Sequence, residues 1–495
     1  MSFKQFSRGW LVPLILLPLT TGVMGDDTLT MECEQLPPLD GVLSEADLAE
    51  QAAYCAIDLS ADDIAICPKT WSTSPGAVIY AVTDTDWQGR TAEFERVACA
   101  PGGHARELAT AQLAVFKNSL NGRETSGTFS PSPLLYYHFS RLLQTKLQVP
   151  VAVRVEFPLA AYGPSIIEPG MVFTDSSRRK MLHAGWQEMQ IAAAAPAEYS
   201  HRRELFTADN QRLWGVLLRQ NGKRYGPEVN GTRASGWGDG QNLDFQRTAA
   251  FLALRTDLPL IEAIHLGVKE SRKDEAMAAK LPAQVSTAQV ARWMEELTEL
   301  VILDYLLKQQ DRIGNIDYLW RWHWVEEGEL MTSPTQPEGK DAVKLRVTVL
   351  NDNDAGVRSG YANYAARTNM LQKWHHMDYN LYQRVQRLAQ DFGASGSIAT
   401  AVRDRYRLST RESEGIIKRG VEIARQLQLK CESGSLRFDL SLADNLHPAE
   451  PSQSETTKPA EAGVAEPLVE RTQAIYACEV SDSVAQAVSP SINTE

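Results

Sequence analysis

The stretch ILDYLLKQQDRIGN, residues 302–315, joins an apolar, helix-like run to an Asp-Arg pair in a loop. Further along, VLNDNDAG (349–356) places a cluster of Asp and Asn directly after a run that alternates like a strand. The pattern predicts Asp311 at or just beyond the C-terminus of a helix, and Asp352 just beyond the end of a strand. For either segment alone, the alternative is structural: a capped turn or a solvated Asx turn. Together they favour a site built from two loops.

These residue types suit phosphoryl transfer. That reaction uses one carboxylate to orient the acceptor hydroxyl, and an Asn and a second Asp to hold the divalent cation that bridges the nucleotide phosphates. Oxygen ligands also favour Mg²⁺ or Mn²⁺ over zinc. The two loops therefore predict an ATP-dependent kinase chemistry with Mg²⁺ or Mn²⁺.

Three segments taken together resemble the C-terminal lobe of the Four-jointed secretory-pathway kinases: residues 302–315, NDNDAGVRSGY (351–361) and NMLQKWHHMDYNLYQRVQRL (369–388). Those kinases are relatives of the Golgi casein kinase family and, more distantly, of phosphatidylinositol 4-kinases and HipA-type kinases. The resemblance covers residues 290–435 and, weakly, residues 110–157. The order of a DYL run, a DR pair and a DN-x-x-G turn is more specific than any one of its parts.

The resemblance implies roles for individual residues. Asp311 is similar to the family's catalytic Asp, and Asp352 to the metal-binding Asp at the place of the DFG aspartate. It also implies Asn315 and Asp354 as further metal ligands, with Asn353 close enough to contribute. The DRIGN loop is shorter than in some relatives, which affects Asn315 most.

The first lobe contributes a lysine on the same grounds. AVFKNS (114–119) resembles the lysine strand of the lipid-kinase relatives, which implies that Lys117 reaches the nucleotide phosphates; a solvated lysine at a strand edge is the alternative. Kinases pair this lysine with a Glu on the next helix. This chain has Ser132-Pro133 where relatives carry that Glu, and Glu124 is the candidate substitute. The missing Glu favours a pseudokinase, whereas the retained acids disfavour one.

The predicted secondary structure changes along the chain from mainly strands to mainly helices. Short β-rich runs precede residue 157, LWGVLLRQNGKRYGP (213–227) predicts a hairpin turning at Asn221-Gly222, and a mainly helical pattern follows. Gly102-Gly103 and GWGDG (236–240) are weak candidates for nucleotide contact.

We predict an α+β, two-lobed, protein-kinase-like fold divided as follows: signal peptide 1–25, N-terminal Cys-containing region 26–100, β-rich N-lobe 101–245, helical C-lobe 246–440, and a Pro/Glu/Ser-rich, mostly disordered tail 445–495.

The N-terminus predicts export. Lys4 and Arg8 precede the short apolar run of residues 10–25, as in a secretory signal peptide; an uncleaved signal anchor is the alternative. No later segment is apolar enough to cross a bilayer. Six cysteines lie beyond the signal, and in an oxidising compartment an even number is expected to pair. We therefore expect a secreted or periplasmic protein, or one in the secretory-pathway lumen.

The predicted function is transfer of the ATP γ-phosphoryl group to a hydroxyl. The resemblance implies a Ser or Thr of a secreted or surface protein as the acceptor. A nucleotide-binding pseudokinase, or a kinase for a sugar or lipid head group, remains an alternative, because no motif identifies the acceptor. The formal net charge of -12, with no basic run, argues against a nucleic-acid partner.

Overall fold

The computed structural model describes residues 29–40, 43–175, 178, 180–282, 285–446 and 478. The predicted signal peptide and, apart from residues 445–446 and Cys478, the predicted tail lie outside the described residues.

The strands that the structure describes are numbered in chain order: β1 (Glu32–Glu34), β2 (Ile64–Pro68), β3 (Ala77–Ala81), β4 (Ala111–Asn118), β5 (Ala152–Pro158), β6 (Arg212–Leu218), β7 (Lys223–Arg224), β8 (Asp317–Glu326), β9 (Glu329–Ser333) and β10 (Val343–Val349).

The α-helices in the same part of the chain are α1 (Glu45–Cys55), α2 (Thr91–Val97), α3 (Ala105–Leu108), α4 (Pro131–Leu142), α5 (Leu159–Tyr162), α6 (Glu168–Thr174), α7 (Lys180–Ala194), α8 (Arg202–Leu205), α9 (Pro227–Asn230), α10 (Asp239–Phe245), α11 (Ala249–Leu254), α12 (Leu260–Ser271), α13 (Glu275–Ala278), α14 (Thr287–Leu307), α15 (Tyr364–Arg367), α16 (Met370–Lys373), α17 (Tyr379–Gly393), α18 (Ser397–Asp404), α19 (Thr410–Glu432) and α20 (Leu442–Asn445). A single π-helical segment, Gly163–Ile167, joins α5 to α6.

The N-lobe is a six-stranded antiparallel sheet in the order β1-β5-β6-β4-β3-β2. Helix α4, which follows the lysine strand β4, is buried along nearly its whole length. Three of the six strands come from residues 26–100, which the sequence pattern set apart from the N-lobe. That boundary does not hold, because β2 and β3 are short apolar strands that complete the sheet beside β4.

The C-lobe is built around α14, whose residues are almost all buried. The helix packs against α11, α12 and α19, and against a small sheet in the order β10-β8-β7. In that sheet Asp317 pairs with Val349, so the loop entering β8 and the loop leaving β10 lie at the same end. A β-rich lobe followed by a mainly helical lobe confirms the predicted α+β, two-lobed, protein-kinase-like fold.

The segment predicted as a hairpin instead connects the lobes, so that prediction was wrong. Strand β6 belongs to the N-lobe sheet, while β7 pairs with β8 of the C-lobe. Asn221-Gly222 has the local chemistry of a hairpin turn, but Lys223 and Arg224 find their pairing partners in β8. Gly222 packs closely there, since a Cβ added to it would lie 2.8 Å from the carbonyl oxygen of Tyr318.

All six cysteines are paired, which confirms that prediction and fixes the connectivity. The disulfides are Cys33–Cys55, Cys67–Cys99 and Cys431–Cys478. The last one ties the tail to α19, and disulfides of this number fit an oxidising compartment. Across the described residues, the structure contains no helix with the length and apolar character that a bilayer crossing requires.

Candidate active site

Two loops form the floor of the site. The first, residues 308–316, runs from α14 to β8 and carries Asp311; the second, residues 350–357, follows β10 and carries Asp352. Backbone hydrogen bonds join them: Gln310 N donates to Ala355 O at 3.0 Å, and the amide of Val357 donates to the carbonyl of Leu307. The helix and strand ends predicted from sequence therefore meet in one place.

Lys117 lies between two carboxylates of the second loop. Its Nζ is 3.1 Å from Asp352 Oδ1 and 3.1 Å from Asp354 Oδ2, and the lysine is only 4% exposed. Burial by itself lowers the pKa of the ammonium, but the charges of Asp354 and Asp352 outweigh it and raise that pKa above its usual value. Lys117 is therefore a fixed positive charge on the N-lobe side of the site.

The carboxylate of Asp352 is surrounded by donors. Its Oδ1 accepts from Lys117 and from Gln220 Nε2, both at 3.1 Å, and its Oδ2 accepts from Arg224 Nη2 at 3.2 Å. Burial opposes ionisation of Asp352, yet Lys117 and Arg224 prevail and lower its pKa to about 2. Asp352 is thus an anion throughout the neutral range.

The side chain of Asn315 contacts the first loop directly, and it is linked to the second loop through Arg224 of the interlobe strand β7. Its Nδ2 donates to the carbonyl oxygen of Asp311 at 2.9 Å, and its Oδ1 accepts from Arg224 Nη1 at 2.6 Å. Arg224 also donates to Asp317 Oδ1 at 2.6 Å and to the carbonyl of Gly314. The guanidinium therefore brings together oxygens of the two predicted metal ligands Asn315 and Asp352.

Asp311 is exposed to solvent, unlike Lys117. Partial burial, followed by repulsion from Asp354 and Asp352, raises its pKa to about 6, while a hydrogen bond from the Trp237 side chain opposes the rise. Trp237 is 65% exposed and belongs to the GWGDG segment, which lies beside the acid. An exposed carboxylate with a raised pKa suits a group that must meet an incoming hydroxyl.

Glu124 does not reach Lys117, which corrects the prediction that it replaces the missing helix Glu. Its side chain is 79% exposed at a loop, 3.8 Å from Arg123. Ser132 stands at the expected position on α4 and donates instead to the carbonyl oxygen of Asn353 at 2.5 Å. The two aspartates of the second loop, rather than a glutamate of α4, hold Lys117.

The side chain of Asn353, like that of Asn315, makes hydrogen bonds within the protein. Its Oδ1 accepts from Arg312 Nη2 at 2.8 Å and its Nδ2 donates to the carbonyl oxygen of Leu350 at 2.6 Å. The asparagine shapes the loop and thereby directs Asp352 and Asp354 towards Lys117.

A buried ionic cluster, which sequence patterns did not indicate, supports both loops. Arg312 donates to both carboxylate oxygens of Asp304 at 3.0 Å, and Tyr136 of α4 donates to the same carboxylate at 2.7 Å. The Arg312 guanidinium also lies 5.3 Å from the centre of the Tyr136 ring. This cluster joins α4 of the N-lobe to α14 and the first loop of the C-lobe.

Asn230 holds the first loop, residues 308–316, through hydrogen bonds. It is 4% exposed; its Nδ2 donates to the carbonyls of Tyr225 and Ile316, and its Oδ1 accepts from the amides of Gly314 and Ile316. All four hydrogen-bonding positions of the amide are therefore filled. Asn230-Gly231-Thr232 has the pattern of an N-glycosylation sequon, which is typical of a surface loop, but Asn230 is buried.

A cavity of about 360 Å³ adjoins the site on the N-lobe sheet. Val115, two residues before Lys117 on the same face of β4, lines it, as does Gln220, which also contacts Asp352. Gly102 of the predicted Gly pair also lines it. The volume is within the range of small-molecule and cofactor sites.

The oxygen ligands of this site fit a cation that enters bound to a nucleotide better than a metal ion that protein side chains hold by themselves. In the described residues, no three or more His, Cys, Asp or Glu side chains form a group that could hold a metal ion. Asp352, Asp354 and Asn315 instead offer hard oxygens, and Mg²⁺ at such sites takes one or two carboxylates together with phosphates and waters.

Comparisons with known proteins add little beyond the fold. No protein-family model and no curated protein matches the sequence. Among solved structures, the chain is similar to a crystal structure of the Golgi casein kinase with Mn and ADP bound, with a TM-score of 0.38 and 11% identity over 78% of this chain and 77% of that chain. A second crystal structure of the Golgi casein kinase gives a TM-score of 0.40 and 11% identity over 80% and 79%. Similarity at this level does not assign a family, so the function rests on the geometry of the site.

Proposed function

We propose that the chain is a kinase-like phosphotransferase that moves the γ-phosphoryl group of ATP to a hydroxyl. The observation that carries the proposal is the contact of buried Lys117 with both Asp352 and Asp354, beside a nucleotide-sized cavity and a solvent-facing Asp311. Phosphoryl transfer requires little covalent chemistry from the protein, so positioning and charge neutralisation supply most of the rate.

Each residue has a role in this proposal. Lys117 neutralises phosphate charge, and Asp352, Asp354 and Asn315 hold the divalent cation. When bound, that cation draws charge away from the phosphate oxygens during transfer. Asp311 orients the acceptor hydroxyl and takes its proton; a pKa of about 6 keeps it ionised at neutral pH while leaving it a useful base.

The compartment and the acceptor are part of the proposal. Three disulfides and the predicted signal peptide support a secreted protein or one of the secretory-pathway lumen or periplasm. The resemblance of the two loops to secretory-pathway kinases supports a Ser or Thr of an exported protein as the acceptor.

A pseudokinase is the second candidate, and two observations favour it. Ser132 takes the place of the helix Glu, and Arg224 already contacts Asn315 and Asp352. In that case the protein binds nucleotide at the same cavity and acts as a scaffold without transfer.

One assay separates the two candidates. The mature protein is incubated with γ-labelled ATP and Mn²⁺ or Mg²⁺, with Ser/Thr peptides, sugars, lipid head groups or water as acceptors. We expect metal-dependent transfer that Asp311→Ala and Asp352→Ala abolish and that Asp58→Ala, at an exposed turn before β2, leaves unchanged. Thermal stabilisation by nucleotide without transfer identifies a pseudokinase, because a ligand that binds only the folded state stabilises it. Absence of both results rejects the nucleotide site.

A further inference from the structure

The turn between β2 and β3, residues 69–76, begins with a buried lysine. Lys69 is 5% exposed; its amide donates to the carbonyl of Gly76 at 2.9 Å, and its carbonyl accepts from Trp186 Nε1 at 3.2 Å. A Cβ on Gly76 would lie 3.2 Å from Lys69 Cδ and 2.5 Å from the carbonyl oxygen of Phe116, so the glycine leaves room for the lysine stem. The lysine is held in place at both its backbone and its stem.

Lys69 is one of the residues that line the cavity described above. It lines that cavity together with Val115 and Gln220, and so lies on the same side of the sheet as Lys117. Burial, and after it the charge of Lys117, lowers the pKa of Lys69 to about 8, against the opposing effect of Asp354 and Asp352. Its electrostatic neighbours are therefore the groups of the proposed active site.

Within the described part of the chain, Lys69 forms no ion pair of its own, because Asp352 and Asp354 are both engaged by Lys117. A buried cation that lacks a paired anion is unfavourable unless a ligand supplies one. Arg224 does not supply a spare charge, because it also pairs with Asp317 at 2.6 Å. The three cations Lys69, Lys117 and Arg224 therefore stand beside three carboxylates, those of Asp352, Asp354 and Asp317, and Lys69 is the cation that contacts none of them. Because Lys69 lines the cavity, a phosphate group bound there would supply the missing anion.

We propose that Lys69 is a second phosphate ligand, supplied by the β2–β3 turn, and that the ligand of this cavity is a nucleoside di- or triphosphate. The inference rests on the proposed function of the same site and deepens it. Lys117 then contacts the phosphates from the strand below, while Lys69 contacts them from the turn above. A nucleoside without phosphates gains nothing from either lysine.

Binding measurements on the full chain test the phosphate contact. Loss of one charge-assisted hydrogen bond should weaken ADP and ATP binding by about tenfold or more in Lys69→Met. Adenosine binding should not change, and Lys69→Arg, which keeps the charge, should recover most of the loss. A purely structural lysine would affect adenosine and ADP equally, so that result would overturn the proposal.

Covalent labelling of the unmodified protein gives a readout that does not depend on a variant's folding. An acyl-phosphate derivative of ATP transfers its acyl group to a lysine near the phosphates: the amine nitrogen bonds to the acyl carbon, the acyl–oxygen bond breaks, and the nucleotide leaves as the phosphate. We expect mass spectrometry to find the label on Lys69 and Lys117, with excess ADP preventing it. Lys430 of α19, whose pKa burial also lowers, is the internal control and should remain unlabelled.

The outcomes separate this inference from the proposed function. Label on Lys117 alone, with unchanged ADP affinity in Lys69→Met, refutes the role of Lys69 and leaves the proposed function intact. No label on either lysine and no ADP binding refutes both. If Lys430 is labelled to the same extent as Lys69, the label reports general lysine reactivity and not nucleotide binding. That result also refutes the inference.

Discussion

Substitution of Arg312 by Met should destabilise the protein strongly. The guanidinium is 3% exposed, makes two 3.0 Å hydrogen bonds to Asp304 and donates to Asn353 at 2.8 Å. Removing one partner of a buried ion pair typically costs ~3–5 kcal/mol, since the other charge is left uncompensated. Asp304 keeps its 2.7 Å hydrogen bond from Tyr136, so we expect the lower end, ~3 kcal/mol.

Catalysis should fall with stability in the same variant. Arg312 directly follows Asp311 and also contacts the carbonyl oxygen of Asp352, so its loss releases both loops. A displacement of ~1 Å at reacting groups can reduce the rate by ~10²-fold. We therefore expect folded Arg312→Met, assayed below its unfolding temperature, to lose at least that much of any transfer activity.

Denaturant unfolding, followed by tryptophan fluorescence, measures the loss of stability in Arg312→Met. The double variant Asp304→Asn/Arg312→Met should be more stable than Arg312→Met, because it removes both charges of the pair. Arg403→Met is the matched control: Arg403 pairs with Glu414 at the surface and should have no measurable effect. A wild-type unfolding curve for Arg312→Met, or a double variant less stable than either single one, would refute the role assigned to the cluster.

Three further predictions follow from the site. Asn230→Ala should lower both the melting temperature and the transfer rate, because it removes four hydrogen bonds, three of them to the loop of residues 308–316. Mass spectrometry should find no glycan at Asn230; a glycan there, or an unaffected rate, would contradict its role. Asp311 acts as a base only when ionised, and its pKa in the metal-free protein, followed by carboxyl-carbon NMR, should be about 6. A cation bound at Asp352 removes part of the repulsion, so the acid limb of the metal-dependent rate should lie below that value; a metal-free pKa near the free carboxyl value of 3.8 would contradict this account. Replacing Cys67 and Cys99 by Ala should reduce stability by ~2–4 kcal/mol and weaken ADP binding, since this disulfide joins β2 to the wall of the cavity; calorimetry would contradict this if ADP affinity did not change.

The parts of the site that could be predicted from sequence are those with local signals. Asp311 and Asp352 each follow the end of a regular element, and the alternation of β10 and the apolar run of α14 mark those ends. Lys117 has the same kind of signal on β4. Because the fold places these ends side by side, local patterns sufficed for the floor of the site.

The residues that were missed depend on contacts distant in sequence. Asn230 begins a sequon typical of a surface loop, yet it is buried against the loop of residues 308–316. Lys69 follows an apolar strand with no motif, and its position at the site follows from the order of strands in the sheet. Glu124 is near Lys117 in sequence but not in space. Arg224 was assigned to a hairpin because turn chemistry is visible locally, whereas its pairing with β8 is not.

The most direct test compares nucleotide binding with phosphoryl transfer in the same preparations of Asp311→Asn and Asp352→Asn. We predict that Asp311→Asn binds ATP with Mn²⁺ as the wild type does but transfers phosphate ~10²–10⁴-fold more slowly, as expected for loss of a general base. Asp352→Asn should lose metal-dependent binding and transfer together. Wild-type transfer by Asp311→Asn, or wild-type Mn²⁺-dependent binding by Asp352→Asn, would contradict the assignment of this site.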